Sequence, residues 1–237
     1  MNIESGSTYI ITGGAGAIAG HIARTFRDAG ARLILVDLDR AALDERVTEL
    51  DALALAADLT RFEDTVEMVE RAISDLGVIN GLIHTTGGFA MAPASESTPE
   101  HYDHMLDLNL RTLFNTCRAI LPHFLEHRSG FLAAFSAAPG WQRAGGAGMS
   151  LYAAAKAAVA AYLRAVDAEL ASKGIRTVVV YPMGAVDTPA NRRSMPEVDP
   201  STWIDPVEIA NALLFAASRG KRGRLEEIAI FPPELAS

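Results

Sequence analysis

The chain holds one cysteine, Cys117, among 237 residues. No intrachain disulfide can form, so a reducing, cytoplasmic setting is expected. Cys117 falls in an apolar helical pattern and reads as core. No apolar run reaches the roughly 18 residues that cross a bilayer. The opening "MNIESGSTYIITGG" carries an acid and no basic cluster, so no signal peptide is expected. Positive charge is in deficit: a net charge of −8 argues against a nucleic-acid partner, which needs a basic face. Linkers, repeats and low-complexity tracts are missing, which points to one domain over residues 1–237. At 49% apolar and 21% charged, such a chain can bury a full core and is not disordered. No metal site is expected.

What is present is an alternation of short apolar runs with helical patterns. "TYIIT" (8–12), "RLILVD" (32–37), "ALALAAD" (52–58) and "GLIHTT" (81–86) read as buried strands. "GFLAAFS" (130–136), "RTVVVYP" (176–182) and "EEIAIFP" (226–232) continue the series. Unbroken apolar runs of this kind suit a parallel sheet covered on both faces. Between them, "DTVEMVERAISDLG" places Val66, Val69 and Ile73 at helical spacing. Thr98 and Pro99 form an N-cap followed by a first-turn proline. The expected fold is α/β: a doubly wound parallel sheet of about seven strands with helices on both faces. Residues 185–204 form one long segment of undefined structure, a candidate substrate-binding loop.

Two ends of a site can be read. The first strand runs into "TGGAGAIAG" (12–20), then a helix from about Ala17. Gly13, Gly14 and Gly16 allow a tight turn that brings N–H groups and a helix N-terminus against a pyrophosphate. Asp37, 21 residues after Gly16, can accept hydrogen bonds from a ribose hydroxyl and would repel a 2′-phosphate. With no lysine or arginine in the turn, NAD(H) is favoured over NADP(H). Asp58 can hold an adenine edge or cap the next helix. At the other end, Tyr152 and Lys156 lie one helical turn apart, on one face. A nearby ammonium, joined by an oxidised nicotinamide, favours phenolate and would lower the tyrosine pKa, making Tyr152 a usable acid or base.

With these residues, the sequence resembles a short-chain dehydrogenase/reductase over its whole length. The carriers are "TGGAGAIAG", Asp37, Asp58, "TTGG" (85–88), "LDLNLRT" (106–112), "YAAAK" (152–156) and "YPMGAVDTPANR" (181–192). The resemblance implies a Rossmann-type fold with Tyr152 as acid/base, Lys156 as its electrostatic partner and Asn109 holding a relay water. It implies a dinucleotide along Gly13, Gly14, Gly16, Ala17 and Ile18, past Asp58 and Leu59, then Thr86 and Gly87. Pro182, Gly184 and Thr188 would complete that groove beside Lys156. It further implies a homodimer or homotetramer.

Departures from the pattern narrow the reading. His84 stands where the family usually has asparagine, and a packing role is expected for it. The serine that usually precedes the tyrosine by about thirteen residues would fall on Pro139, or on Ala137 counted from the strand start. Ser136 is sixteen residues before Tyr152, and strand alternation turns it away from Ala137's face. Ser136 remains the fallback catalytic hydroxyl. Dihydropteridine reductases share the missing serine, and "DTPANRRSMPEVDPSTW" (187–203) and "GGF" (87–89) resemble theirs locally. Phe89, Met91, Trp141, Met183, Met195 and Trp203 suggest an apolar pocket, with Arg143, Arg192 or Arg193 free to meet a polar substituent. The expected activity is NAD(H)-dependent oxidoreduction of a carbonyl, alcohol or quinonoid group of a small substrate. The alternative is a protein that kept the fold and lost redox chemistry.

Overall fold

In the computed structural model, which describes residues 3–141, 146–220 and 222–234, seven parallel strands form one sheet in the order β3-β2-β1-β4-β5-β6-β7. The strands are β1 (Thr8–Thr12), β2 (Arg32–Asp37), β3 (Leu53–Ala56), β4 (Ile79–His84), β5 (Gly130–Phe135), β6 (Ile175–Pro182) and β7 (Glu227–Ile230). β1 and β2 start and stop where the apolar runs do. β4 begins and ends two residues earlier than the run suggested, because Ile79 already pairs with β1 and Asn80 is tied to it through its side chain. Thr8 lies opposite Ile79, its N–H donates to Asn80 Oδ1, and an irregularity separates Thr8 from Tyr9. Thr85 and Thr86 are thereby released from the strand into the loop that follows.

The helices are α1 (Ala17–Asp28), α2 (Arg40–Leu50), α3 (Phe62–Leu76), α4 (Pro99–Leu106) and α5 (Thr112–His127). They continue with α6 (Ala138–Trp141), α7 (Ser150–Leu170), α8 (Pro189–Ser194) and α9 (Pro206–Ala217). Thr98 caps α4: its side chain accepts the His101 N–H, with Pro99 in the first turn. One sheet face packs Ile22 and Phe26 of α1, Leu43 of α2 and Ile209 and Leu213 of α9. The other packs Met68 and Val69 of α3, Cys117 and Ile120 of α5 and Leu163 of α7. Cys117 is fully buried in that second layer, as its helical setting implied. No helix among the described residues is long and apolar enough to cross a membrane.

Between α4 and α5 the helix widens into one π turn, Asp107–Arg111. Such turns shift the phase of a helix and recur at functional sites. Residues 185–204 are ordered by a parallel bridge, Val186 opposite Ile204, which closes the base of the excursion. Within it stand α8 and a short 3-10 turn, Pro200–Thr202. The strand order reverses direction between β1 and β4, opening a crevice at their carboxyl ends. Phe26, fully buried and edge-on to Tyr9 at 4.9 Å, anchors α1 beneath it. Phe26→Ala should cost about 3–5 kcal/mol, read as a lowered urea midpoint in a denaturation curve.

Candidate active site

β1 delivers the chain into the glycine turn at the crevice. Gly13 has φ +64°, and a Cβ there would lie 2.9 Å from Thr85 Oγ1. A Cβ on Gly14 would lie 2.8 Å from that of Leu35, and one on Gly16 would lie 3.0 Å from the Gly13 carbonyl oxygen. α1 starts at Ala17 with Gly16 as a cap that lends no side chain, and its first turn carries no acid. Its leading N–H groups are therefore open to an anion. Ala17 and Ile18 are half-buried, whereas Ala19 is packed under the turn.

Asp37 ends β2 and folds back over this turn. Its Oδ2 accepts the Ala15 N–H at 3.1 Å, and its Oδ1 accepts that of Leu38 at 2.8 Å. Asp58 Oδ1 accepts from the Thr60 N–H at 2.9 Å and the Thr60 hydroxyl at 2.6 Å. The residue at the cap of α3 is Arg61, which leaves Asp58 outside that role. Leu59 is buried, and its carbonyl accepts from Asn115 Nδ2 at 2.8 Å. One group escaped the sequence reading: Arg46, on α2, rests its guanidinium over Gly20 and donates to the Ala15 carbonyl at 3.4 Å. Its only sequence signal was an arginine one helical turn before the buried Leu50.

The loop after β4 joins the two ends of the crevice. Thr85 Oγ1 donates to the Thr12 carbonyl at 2.6 Å, and the Thr86 N–H donates to Thr12 Oγ1 at 3.4 Å. The Thr86 hydroxyl is enclosed without a hydrogen-bond partner among the described residues. A dinucleotide fits this surface: side-chain-free glycines, open helix amides, a carboxylate at the end of β2 and an enclosed hydroxyl awaiting a partner. Gly87 sits where a Cβ would come within 2.8 Å of Asn109 Oδ1 and 3.1 Å of Lys156 Nζ. The π turn aims buried Asn109 at the loop, where Oδ1 accepts the Gly88 N–H and Nδ2 donates to the Gly88 carbonyl, both at 3.2 Å.

Tyr152 and Lys156 project from the first turns of α7. Lys156 is buried, and its Nζ donates to the Phe135 carbonyl at 3.1 Å. Nζ lies 5.9 Å from the centre of the Tyr152 ring. Burial pulls Lys156 down to about 8 and pushes Tyr152 up to about 12. The lowering expected from an ammonium joined by an oxidised nicotinamide does not show in the protein alone, where burial of the phenol dominates. Tyr152 carries its proton at neutral pH.

The remaining expected site residues make local contacts of their own. Ser136 follows β5, continues its pairing through an N–H donated to Val180, and donates its hydroxyl to the Lys156 carbonyl at 2.7 Å. That hydroxyl ties the strand end to the α7 backbone. The two positions where the serine was expected carry Ala137, which is buried, and Pro139, which lies in α6. Thr188 is buried and caps α8, accepting the Asn191 N–H at 3.2 Å. Pro182 ends β6, and Gly184 passes close to Pro232, where a Cβ would meet Cγ at 3.2 Å.

Of the apolar residues expected in the pocket, Phe89 and Met91 stand open, 56% and 58% exposed. Phe89 meets Tyr152 edge-on at 4.8 Å. Trp141 instead packs on Tyr181 at 4.8 Å, Met183 joins the core and Trp203 is buried. Met195 is half-buried, Arg193 is exposed, and Arg192 is held by Asp187 through two bonds of 2.6 and 2.7 Å. Arg143 lies outside the described residues. A cavity of about 470 Å³ under the base of the 185–204 segment is lined by Asp187, Trp203, Ile204 and Phe231. Neither Tyr152 nor Lys156 is on its wall.

The sheet order, the glycine turn at the crevice and the α7 helix carrying Tyr152 and Lys156 together define a doubly wound, Rossmann-type α/β protein. The description of the short chain dehydrogenase family matches residues 7–199, and the chain belongs to that family. An uncharacterized oxidoreductase of Staphylococcus saprophyticus is 27% identical over 229 residues, spanning 94% of this chain and 96% of its own. The structure of 3-ketoacyl-(acyl-carrier-protein) reductase from Brucella melitensis, complexed with NADH, has a TM-score of 0.85 at 25% identity, covering 96% of this chain and 97% of that one. Levodione reductase has a TM-score of 0.86 at 24% identity over 95% and 96% of the two chains, a likeness of fold.

His84, at the end of β4, is buried among Thr12, Thr112 and Thr116. Burial first, and the Lys156 charge second, lower its pKa from 6.5 to about 3. A folded pKa below the unfolded one means the unfolded chain binds the proton first as pH falls. The stabilisation is complete above pH 6.5 and is lost toward pH 3. Wild type should therefore lose up to about 1.4 kcal/mol per pH unit more than His84→Asn across that window, measured by urea unfolding at stepped pH.

Proposed function

We infer that this protein is an NAD(H)-dependent oxidoreductase acting on a carbonyl, alcohol or quinonoid group of a small, apolar substrate. The observation that carries this reading is the convergence of Lys156 Nζ and Asn109 Oδ1 on Gly87, with Tyr152 one turn away on α7. When bound, the nicotinamide supplies or accepts the hydride. Tyr152, protonated at neutral pH, gives its proton to the oxygen or nitrogen of the reduced group, and takes one in the reverse direction. Lys156 places a buried amine between the tyrosine helix and the loop at Gly87. Asn109 locks Gly88 by its main chain and so holds the loop wall in place. Phe89 braces the tyrosine ring and, with Met91, offers an apolar surface to the substrate.

The site works without a serine hydroxyl at its usual place. Loss of one such donor at a developing oxyanion costs about 10²–10³ in rate. A substrate that builds less charge on oxygen, such as a quinonoid ring, loses less, which fits the local resemblance to dihydropteridine reductases. Asp37 favours NAD(H), since its carboxylate would repel a 2′-phosphate, while Arg46 beside the turn softens that repulsion. The Brucella reductase was solved with NADH, which supports a nicotinamide cofactor for this fold. Exposed Phe114, Leu125 and Phe215 on α5 and α9 support a homodimer or homotetramer. The one cysteine supports a cytoplasmic setting, and residues 1–237 are read as one domain with 185–204 as its substrate-side segment. The occupied Ser136 hydroxyl favours the second reading, a family member without redox activity.

NADH titrated by fluorescence should bind more tightly than NADPH, and Asp37→Ser should shift the ratio toward NADPH by about tenfold, or about 1.4 kcal/mol. On a panel of ketones and quinones, Tyr152→Phe should bind NADH normally and lower kcat by about 10²–10⁴. Absence of nucleotide binding, or equal rates in both proteins, would sink the oxidoreductase reading.

A further inference from the structure

His84 takes no part in the chemistry above, yet its ring joins the end of β4 to both β1 and α5. Nδ1 lies 3.0 Å from Thr12 Oγ1 and 3.2 Å from Thr116 Oγ1, and Nε2 lies 3.2 Å from Thr112 Oγ1. Thr12 is the last residue before the glycine turn. Thr112 is the first residue after the π turn that carries Asn109.

The threonines decide which nitrogen holds the proton, since each hydroxyl has one hydrogen to give. Thr112 spends its own on the Leu108 carbonyl at 2.8 Å, so it can only accept from Nε2. Thr116 spends its own on the carbonyls of Thr112 and Leu113, at 2.9 and 3.0 Å, so its approach to Nδ1 carries no hydrogen bond once Thr12 supplies the hydrogen there. Thr12 Oγ1 accepts the Thr86 N–H at 3.4 Å and keeps its hydrogen for Nδ1. The donors then run one way: Thr86 N–H to Thr12, Thr12 hydroxyl to Nδ1, Nε2–H to Thr112, Thr112 hydroxyl to the Leu108 carbonyl. Leu108 lies inside the π turn and its side chain covers Gly88.

We propose that His84, as the neutral Nε2–H tautomer, is a positioning residue that sets the π turn, and with it Asn109, from the end of β1. An imidazole suits this because Nδ1 accepts from Thr12 of β1 while Nε2–H reaches Thr112 of α5, so one ring bridges both elements. The shorter side chain of asparagine, expected here from the family pattern, carries a donor and an acceptor but reaches less far. If the bridge is lost, Asn109 and the Gly87–Gly88 segment it holds shift against Lys156. The reacting groups then lose alignment without losing any group that moves a proton.

The kinetic test rests on the oxidoreductase reading; two other tests do not. Nitrogen-15 spectra of histidine-labelled wild type at pH 7, with His84→Asn identifying the signal, should show the Nε2–H tautomer. An Nδ1–H or doubly protonated ring overturns the proposal. Hydrogen exchange in His84→Leu should quicken at residues 87, 88 and 109–113, and unchanged exchange there overturns it. In NADH-dependent turnover, His84→Leu should lower kcat about tenfold to a hundredfold, with KM for NADH and the shape of the pH profile kept. His84→Asn should regain part of the loss. An unchanged kcat, a reshaped pH profile or no regain in His84→Asn counts against positioning. If wild type turns over nothing, the functional reading falls, while the spectra and exchange still decide this one. If His84→Leu fails to fold, exchange and kinetics of His84→Asn against wild type, with the spectra, decide it.

Discussion

The pairing of β1 with β4, which sets Thr12 opposite His84, is the constraint from which the site follows. Strand order reverses there, so two carboxyl ends stand side by side with no helix between them. Thr12 serves both neighbours at once: its carbonyl receives the Thr85 hydroxyl and its Oγ1 receives the Thr86 N–H. The glycine turn is thereby fastened to the loop that carries Gly87. Without that register, the glycine turn and the tyrosine helix would be two unrelated surfaces.

Burial then sets the protonation states. Lys156 gives up part of its basicity to sit against Phe135, and Tyr152 is held as a phenol by the same loss of water. Ser136 shows a related economy of space. Gly140 approaches so closely that a side chain there would collide with the Ser136 hydroxyl, and that hydroxyl is turned to the α7 backbone. The strand end is stabilised by that bond.

Much of this architecture was legible from apolar runs and turn chemistry. β1 and β2 matched residue for residue because each is an unbroken apolar run with a sharp polar stop. Thr98 and Pro99 marked α4 because capping is local. β4 was misplaced by two residues because "GLIHTT" looks equally strand-like throughout, and only pairing with β1 chooses its register. The π turn was invisible, since its helical residues keep an ordinary composition. The aromatic pocket was overcounted, because a tryptophan after a strand has no way to announce that Tyr181 is waiting for it.

By itself the sequence determined the fold class, the glycine turn, Asp37 and the Tyr152–Lys156 face, all of them short-range patterns in which the interacting residues are close in the chain. Tertiary structure alone decided that Ser136 clamps a helix, that Arg46 lies on the turn and that His84 bridges Thr12 to Thr112. Those outcomes depend on contacts between residues 20 to 72 positions apart, whose geometry exists only once the sheet is assembled.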